Sequence, residues 1–258
     1  MAPSSKRVMF VTGANTGIGF DTVHFLARAN SNNHIILGAR NEQKGLDALK
    51  KLQDLNLQGS LSFLKVDITS DDSIFAAAKQ IEADFGKLDV LVNNAGVFLV
   101  DPPTRESMRK TFEANVFGHV IMTDAVAHLL AKSNDPRIIN VSSGLGSVGA
   151  RLDPNDPYFA HPGNAYRMSK AAINMATANQ KYQYRDSKVK AWAYCPGFVA
   201  TGIAFGDYAQ GEESKKAREE AGAENSETSA QGILEIVEGK RDAEMDQFVQ
   251  RYGKVWPW

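Results

Sequence analysis

Tyr166 and Lys170 stand four residues apart in "AYRMSKAAINMATANQ", a run of good helix formers. On a helix that spacing puts a phenol and an ammonium on one face, one turn apart. A free tyrosine titrates near pH 10 and is a poor base at neutral pH, but a neighbouring ammonium favours its phenolate. The pair is therefore either a tuned acid–base group or a surface pair without consequence. Upstream, "NVSSGLG" offers two hydroxyls, Ser142 and Ser143, of the kind that stabilise charge developing on an oxygen. Near the start, "TGANTGIGF" (12–20) spaces Gly13, Gly17 and Gly19 as G-x-x-x-G-x-G. Small residues there let the backbone approach a pyrophosphate at a helix N-terminus, where unpaired N–H groups and the dipole favour anions. In "LGARN" the cationic Arg40 follows Ala39, and no acid occurs until Glu42. In a dinucleotide-binding fold this position meets the adenosine ribose. An acid there takes the 2′-hydroxyl of NAD, whereas an arginine accommodates the 2′-phosphate of NADP. The missing acid favours NADP(H); NAD remains the alternative if Arg40 is only a solvated strand end.

Chemistry at these points needs elements to position it. Short apolar runs at 7–11, 34–39, 61–66, 88–92, 137–141 and 189–194 read as strands covered on both faces. Helical patterns lie between them at about 17–30, 42–55, 71–85, 105–131 and 163–185, with Asn41 and Ser70 as N-caps and Asp71 and Asp72 at a positive helix end. A late helix is expected at 228–239, and a last strand with a turn at 247–256. This alternation predicts an α/β fold: a Rossmann-type, doubly wound parallel sheet with helices on both faces, in one domain spanning 1–258. Two segments break it. Residues 150–164 hold three prolines and read as a loop. Residues 206–229 contain no Leu, Ile, Val, Met or Phe and read as an exposed helix, with pairs such as Glu212 and Lys216, unable to bury a core face.

Composition narrows the function. The 258 residues carry 29 Lys plus Arg and 30 Asp plus Glu, a net charge of -1. That argues against a general nucleic-acid or anionic-membrane binder. Cys195 is the sole cysteine, so no intrachain disulfide can form, and a reducing compartment is expected; the residue reads as filler for a small buried site. No run is long enough for a membrane span or a signal-peptide core, so a soluble cytoplasmic protein is the expectation. The five histidines show no ligand spacing, and no metal is expected.

Seven elements in order now resemble the short-chain dehydrogenase/reductase family along essentially the whole chain. They are "TGANTGIG", Asp67-Ile68, "NNAG" (93–96), Asn115 in "NVFG", Ser142-Ser143, "YRMSK" (166–170) and "PGFVAT" (196–201). Each falls at or just beyond the C-terminal end of an expected strand, where open α/β sheets bind ligands. The resemblance implies a carbonyl-reductase-like oxidoreductase and assigns roles. Tyr166 is the general acid or base, and Lys170 lowers its pKa and grips the nicotinamide ribose. Ser143, rather than its runner-up Ser142, polarises the carbonyl. Asn115 kinks its helix and holds a relay water. Gly13, Asn15, Thr16, Gly17, Ile18 and Gly19 meet the pyrophosphate, and Arg40 the ribose phosphate. Asp67 and Ile68 contact adenine, while Asn93, Ala95 and Gly96 lie along the ribose and pyrophosphate. Pro196, Gly197, Val199 and Thr201 close over the nicotinamide. Residues 202–229 become a mobile substrate lid, and the loop 150–164, which lengthens the stretch between Ser143 and Tyr166, sits at the substrate mouth. Phe98, Leu145, Phe198, Phe205 and Tyr208 are pocket candidates or ordinary packing; as pocket residues they imply an apolar or aromatic carbonyl or alcohol substrate. The rivals are an NAD-dependent alcohol dehydrogenase and an NADPH-binding sensor or scaffold without turnover. Pairing through the Tyr/Lys helix would make a homo-oligomer, with Met168, Ile173 and Met175 as core or interface.

Overall fold

The apolar runs pair edge to edge. In a computed structural model describing residues 5–99, 104–203, 211–245 and 247–258, β1 (Arg7–Val11) leads into α1 (Gly17–Ala29). Then come β2 (Asn33–Ala39), α2 (Glu42–Gln53), β3 (Ser60–Lys65), α3 (Asp71–Phe85) and β4 (Val90–Asn93). Next are α4 (Arg105–Phe112), a π-helical turn at Glu113–Phe117, α5 (Gly118–Leu130) and β5 (Arg137–Val141). After β5 come α6 (Val148–Leu152), α7 (Asn164–Gln183), β6 (Lys190–Cys195), β7 (Val199–Ala200) and α8 (Glu212–Glu220). β8 (Glu224–Asn225), α9 (Glu227–Val237), β9 (Phe248–Gln250) and β10 (Val255–Trp256) complete the order.

Eight strands form one sheet in the order β10-β9-β6-β5-β4-β1-β2-β3, parallel except for β10 against β9; β7 and β8 pair separately. The sheet is wound on both faces because neighbouring residues of one strand point to opposite sides. Met9 and Val11 pack with Val23 and Leu26 of α1, Leu52 of α2 and Ile233 and Ile236 of α9. Val8 and Phe10 pack with Ile74 and Ile81 of α3 and Met122 and Val126 of α5. β1 pairs with β2 on one side and β4 on the other, so the winding reverses there and opens a crevice at the strands' C-terminal ends. The expected caps hold: Asn41 accepts from the Lys44 N–H, and Ser70 from that of Ser73.

The helical pattern 105–131 is broken by the π turn with Asn115 inside it, where the resemblance implied a kink. Two expectations change. The loop 150–164 begins as the end of α6, whose start is capped by Ser147 (Ala150 N to Ser147 Oγ, 3.0 Å). The segment 206–229 does bury residues: Ser214 on α8 and Ser226 and Ser229 at the start of α9 are inaccessible or nearly so. Met168 and Met175 are exposed, whereas Ile173 belongs to the core. Among the described residues no helix is long and apolar enough to cross a membrane.

Candidate active site

The crevice is a cleft of about 830 Å³. Gly13, Asn15, Thr16, Gly17 and Ile18 line it after β1, Arg40 after β2, and Asp67 and Ile68 after β3. Ala95 and Gly96 line it after β4, Ser143 after β5, Tyr166 and Lys170 from α7, and Pro196, Gly197, Val199 and Thr201 after β6. The glycine turn is built for close approach. Gly13 sits at φ +64°, and a Cβ on it would lie 2.7 Å from Ala95 Cα. Gly17 sits at φ +57°. Thr16 makes no side-chain cap and the first turn of α1 holds no acid, so the helix start keeps its positive end for an anion.

Two expected contacts lie behind the wall. A Cβ on Gly19 would meet Asn94 Nδ2 at 2.5 Å, so this glycine seats α1 against the β4 loop. Asn93 is fully buried and donates to Thr123 Oγ1 (3.0 Å) and Asn140 Oδ1 (2.9 Å). Its neighbour Asn94 lines the cleft and donates to the carbonyls of Thr12 (2.9 Å) and Gly13 (3.1 Å). Thr12 Oγ1 in turn accepts the N–H groups of Asn94 and Ala95. These bonds stitch the two loops across the switch point. Asp67 turns its carboxylate to the Thr69 N–H and hydroxyl, holding a local turn at the cleft edge.

At the other end, the Tyr166 ring lies 4.7 Å from that of Phe98. Burial pushes its phenol up to about 12, while the Arg218 guanidinium and a hydrogen bond from Ser143 pull the other way. Lys170 is buried, which drives its ammonium down to about 8; it donates to Val141 O at 2.8 Å and stands 5.5 Å from the Tyr166 ring centre. Lys170 is not among the groups that act on the phenol here. Burial dominates, and Arg218 and Ser143 oppose it. Ser142 is occupied, donating to Asn174 Oδ1 (2.6 Å) and Lys170 O (3.3 Å), which leaves Ser143 as the serine beside the phenol.

Asn115 is buried beneath the cleft. Its Oδ1 accepts the Val97 N–H (2.8 Å), and its Nδ2 donates to Val97 O (2.9 Å) and Ser169 Oγ (3.1 Å). Ser169 donates to Tyr166 O at 2.7 Å. The side chain therefore braces both the β4 loop and the helix carrying the phenol. His119 is fully buried near it; burial holds the imidazole down at about 3, so it is neutral and donates from Nε2 to Ala95 O (2.6 Å).

Phe98, Leu145 and Phe198 line the cleft as expected; Phe205 and Tyr208 lie outside the described residues. Tyr158 and His161 join them from the loop 150–164. The chain's last residues support this wall. Trp256 packs on Tyr158 with ring centres 5.2 Å apart, and a Cβ on Gly144 would lie 2.8 Å from Trp256. Ser147 Oγ donates to Pro257 O, and the Gly149 N–H to Trp258 O. Cys195 is buried, its thiol raised by desolvation, and its Sγ accepts the Gly144 N–H.

Sequence reasoning missed Lys44 and Lys51, which share the Arg40 end of the cleft, and Arg218, which shares the Tyr166 end. The two lysines had a signal: seven residues apart, they fall on one face of α2. Glu42, the nearest acid after Arg40, pairs with Lys65 at 3.3 Å.

A family model described as short chain dehydrogenase matches residues 7–210. Short-chain dehydrogenase/reductase tropE of Talaromyces stipitatus is 33% identical over 274 residues, covering 100% of both chains. Short-chain dehydrogenase anuI of Penicillium roqueforti is 39% identical over 213 residues, covering 80% of this chain and 84% of that one. Among solved structures, NADPH-bound carbonyl reductase from chicken fatty liver superposes with a TM-score of 0.80 at 25% identity, over 99% of this chain and 100% of that one.

Proposed function

The chain belongs to the short chain dehydrogenase family, an oxidoreductase family that uses NAD(P), and from that premise we propose that it is an NADPH-dependent reductase of ketone, aldehyde or quinone carbonyls. The cleft residues fit a dinucleotide. The Gly13–Gly17 turn lines the cleft at a helix start free of acids, with Gly13 packed too close to Ala95 to carry a Cβ. Residues Gly13 to Ile18 would hold the pyrophosphate, Asp67 and Ile68 the adenine, and Ala95, Gly96 and Lys170 the riboses. Pro196, Gly197, Val199 and Thr201 would hold the nicotinamide. Arg40, Lys44 and Lys51 give the adenosine end a cationic edge, with Asp47 as the acid among them, which supports the 2′-phosphate of NADPH. The relative bound to NADPH is a carbonyl reductase, which agrees with this reading.

When bound, the reduced nicotinamide supplies a hydride to the carbonyl carbon. The chain's own residues handle the oxygen. The Tyr166 O–H donates a proton to it, and the Ser143 hydroxyl hydrogen-bonds it as charge develops. A phenol held up at about 12 stays protonated across the physiological range, so it has a proton to give. The phenolate it leaves is stabilised by Arg218 and Ser143, the groups that already pull its pKa down. Asn115 and Ser169 fix the helix turn that aims the phenol. The observation carrying this reading is that the phenol, the Ser143 hydroxyl and the glycine turn face one cleft. Thr201, Gly202, Ile203, Gly211, Glu212 and Arg218 line it, which supports 202–229 as the lid.

The test is loss of NADPH absorbance against quinones, aromatic ketones and aldehydes, with Tyr166→Phe beside the wild type. Turnover should fall by roughly 10²–10⁴-fold in the variant, while NADPH binding followed by nucleotide fluorescence persists. A Tyr166→Phe protein that reduces the same carbonyls at wild-type rate refutes the mechanism.

A further inference from the structure

The loop 196–201, after β6, is held from outside the cleft by two distant stretches. One is 224–229, which follows α8; the other is the turn Arg251–Gly253 near the chain's end. Ser229 Oγ donates to Pro196 O at 2.8 Å. The Glu224 N–H donates to Phe198 O at 3.1 Å, and β8 runs parallel to β7 with Glu224 beside Val199. Gly197 turns at φ +82°, and a Cβ on it would lie 2.6 Å from the Arg251 guanidinium carbon. The loop's backbone therefore rests directly on a cation. That cation is buried, and its partner comes from the other stretch. Arg251 Nη2 pairs with Glu224 Oε1 at 2.8 Å, while Nη1 donates to Thr228 Oγ1 at 2.8 Å. The next residue, Tyr252, donates its hydroxyl to Glu224 Oε2 at 2.7 Å. It sits at φ +63°, an uncommon backbone for an aromatic residue that persists only where the surroundings fix it. Consecutive residues of one turn thus take both oxygens of one carboxylate.

We propose that Arg251 is a positioning residue for the nicotinamide end of the site: through its ion pair with Glu224 it fixes the loop 196–201, so that binding of the cofactor's nicotinamide half, and not of its adenosine half, depends on a pair that lies behind the cleft wall. This rests on the reading above that the cleft holds NADPH. The argument is one of compensation. A buried cation that loses its carboxylate is left uncompensated, and its surroundings must give way. What surrounds this one is the Gly197 backbone on one side and Glu224 on the other. Glu224 is also the residue whose N–H holds Phe198 O. Loss of the pair therefore loosens the loop at two successive residues, Gly197 and Phe198. A guanidinium suits the task because its planar fork reaches two acceptors at once, here Glu224 and Thr228, while its flat face takes the glycine. The adenosine end is built by other elements. Arg40 follows β2, and in the sheet β2 is separated from β6 by β1, β4 and β5. A small displacement of 196–201 is thus felt at one end of the dinucleotide only.

The test compares the whole cofactor with its adenosine half. Binding of NADPH and of adenosine 2′,5′-bisphosphate to the full chain is measured by titration calorimetry for the wild type, Glu224→Gln, Arg251→Met and Arg251→Lys. In Glu224→Gln and Arg251→Met the Kd for NADPH should rise by about tenfold, the lower end of what a charge-assisted hydrogen bond contributes. The Kd for the bisphosphate should stay within about twofold of wild type, as for a site distant from the change. Arg251→Lys, which keeps the charge but not the fork, should fall between. Equal weakening of both ligands overturns the proposal, since the pair would then support the fold at large. An unchanged Kd for NADPH overturns it as well. If Arg251→Met fails to fold, Glu224→Gln decides alone, because it removes a half-exposed carboxylate and leaves the buried side chain in place. Failure of the cofactor reading is distinguishable. A wild type that binds NADH in place of NADPH refutes that reading alone, and the same comparison is then read with NADH against AMP.

Discussion

Replacing Lys170 by methionine should make the cofactor-free protein more stable at neutral pH while it disables the site. The ammonium is buried and its pKa is pulled from 10.5 to about 8 by desolvation. At roughly 1.4 kcal/mol per pKa unit, that corresponds to about 3 kcal/mol of penalty in the folded state. The charge donates to Val141 O at 2.8 Å. Leaving that carbonyl unpaired returns about 1–2 kcal/mol of the gain. A net stabilisation of about 1–2 kcal/mol remains, a rise of several degrees in Tm for a chain of this size. The pH dependence gives the sharper signature. Below pH 8 the lysine is protonated in both folded and unfolded chains, and the penalty is fully present. Between about pH 8 and 10.5 the folded chain sheds its proton first, and the penalty fades. Urea unfolding of wild type and Lys170→Met at intervals from pH 6 to 10 should show a gap that is widest at the acid end and closes toward the alkaline end. A variant that is less stable at pH 7, or a gap independent of pH, would mean that the buried charge is already compensated and that this reasoning is wrong.

Arg40→Asp should weaken NADPH binding by about ten- to a hundredfold, the worth of a charge-assisted phosphate contact, and shift preference toward NADH; an unchanged NADPH/NADH affinity ratio would favour the NAD-dependent reading. Trp256→Ala should cost about 3–5 kcal/mol in stability, as expected for a large buried aromatic. It should also raise KM through the loosened Tyr158 wall, and steady-state kinetics showing no change in KM would separate the chain's last strand from the pocket.

Much of this site was legible because it lies where the fold must put it. Continuous apolar runs become strands covered on both faces, and residues after their C-terminal ends converge whatever else the chain does. That is why Gly13, Arg40, Ser143, Tyr166 and Thr201, far apart in the chain, share one cleft. The residues that were missed depended on partners distant in sequence. Asn93 was expected at the ligand, yet it comes two residues after Leu91 on β4 and so faces the side packed by α5; Asn94, one residue on, takes the cleft. Period-two reasoning carried one step further would have found this. Arg218 was hidden because its helix lacks large apolar residues, while the buried Ser214, bonded to Ile203 O, turns that face inward. For the Tyr166–Lys170 pair, spacing reports proximity, whereas burial acts on how each group titrates and is not legible in the spacing.

The π turn at Glu113–Phe117 carries a consequence for how this chain can vary in length. Such a turn is an α-helix that has accepted an extra residue. Removing a single residue other than Asn115 from it would let α4 and α5 join as one regular helix, and Asn115 would no longer sit in the widened turn. Asn115 would then lose register with Val97 or with Ser169, because its two sets of bonds lie on different elements. Substitutions at the exposed Phe117 leave that register alone. The segment is thus tolerant in spelling and intolerant in count, and a one-residue deletion there should silence the site in a protein that still folds its sheet.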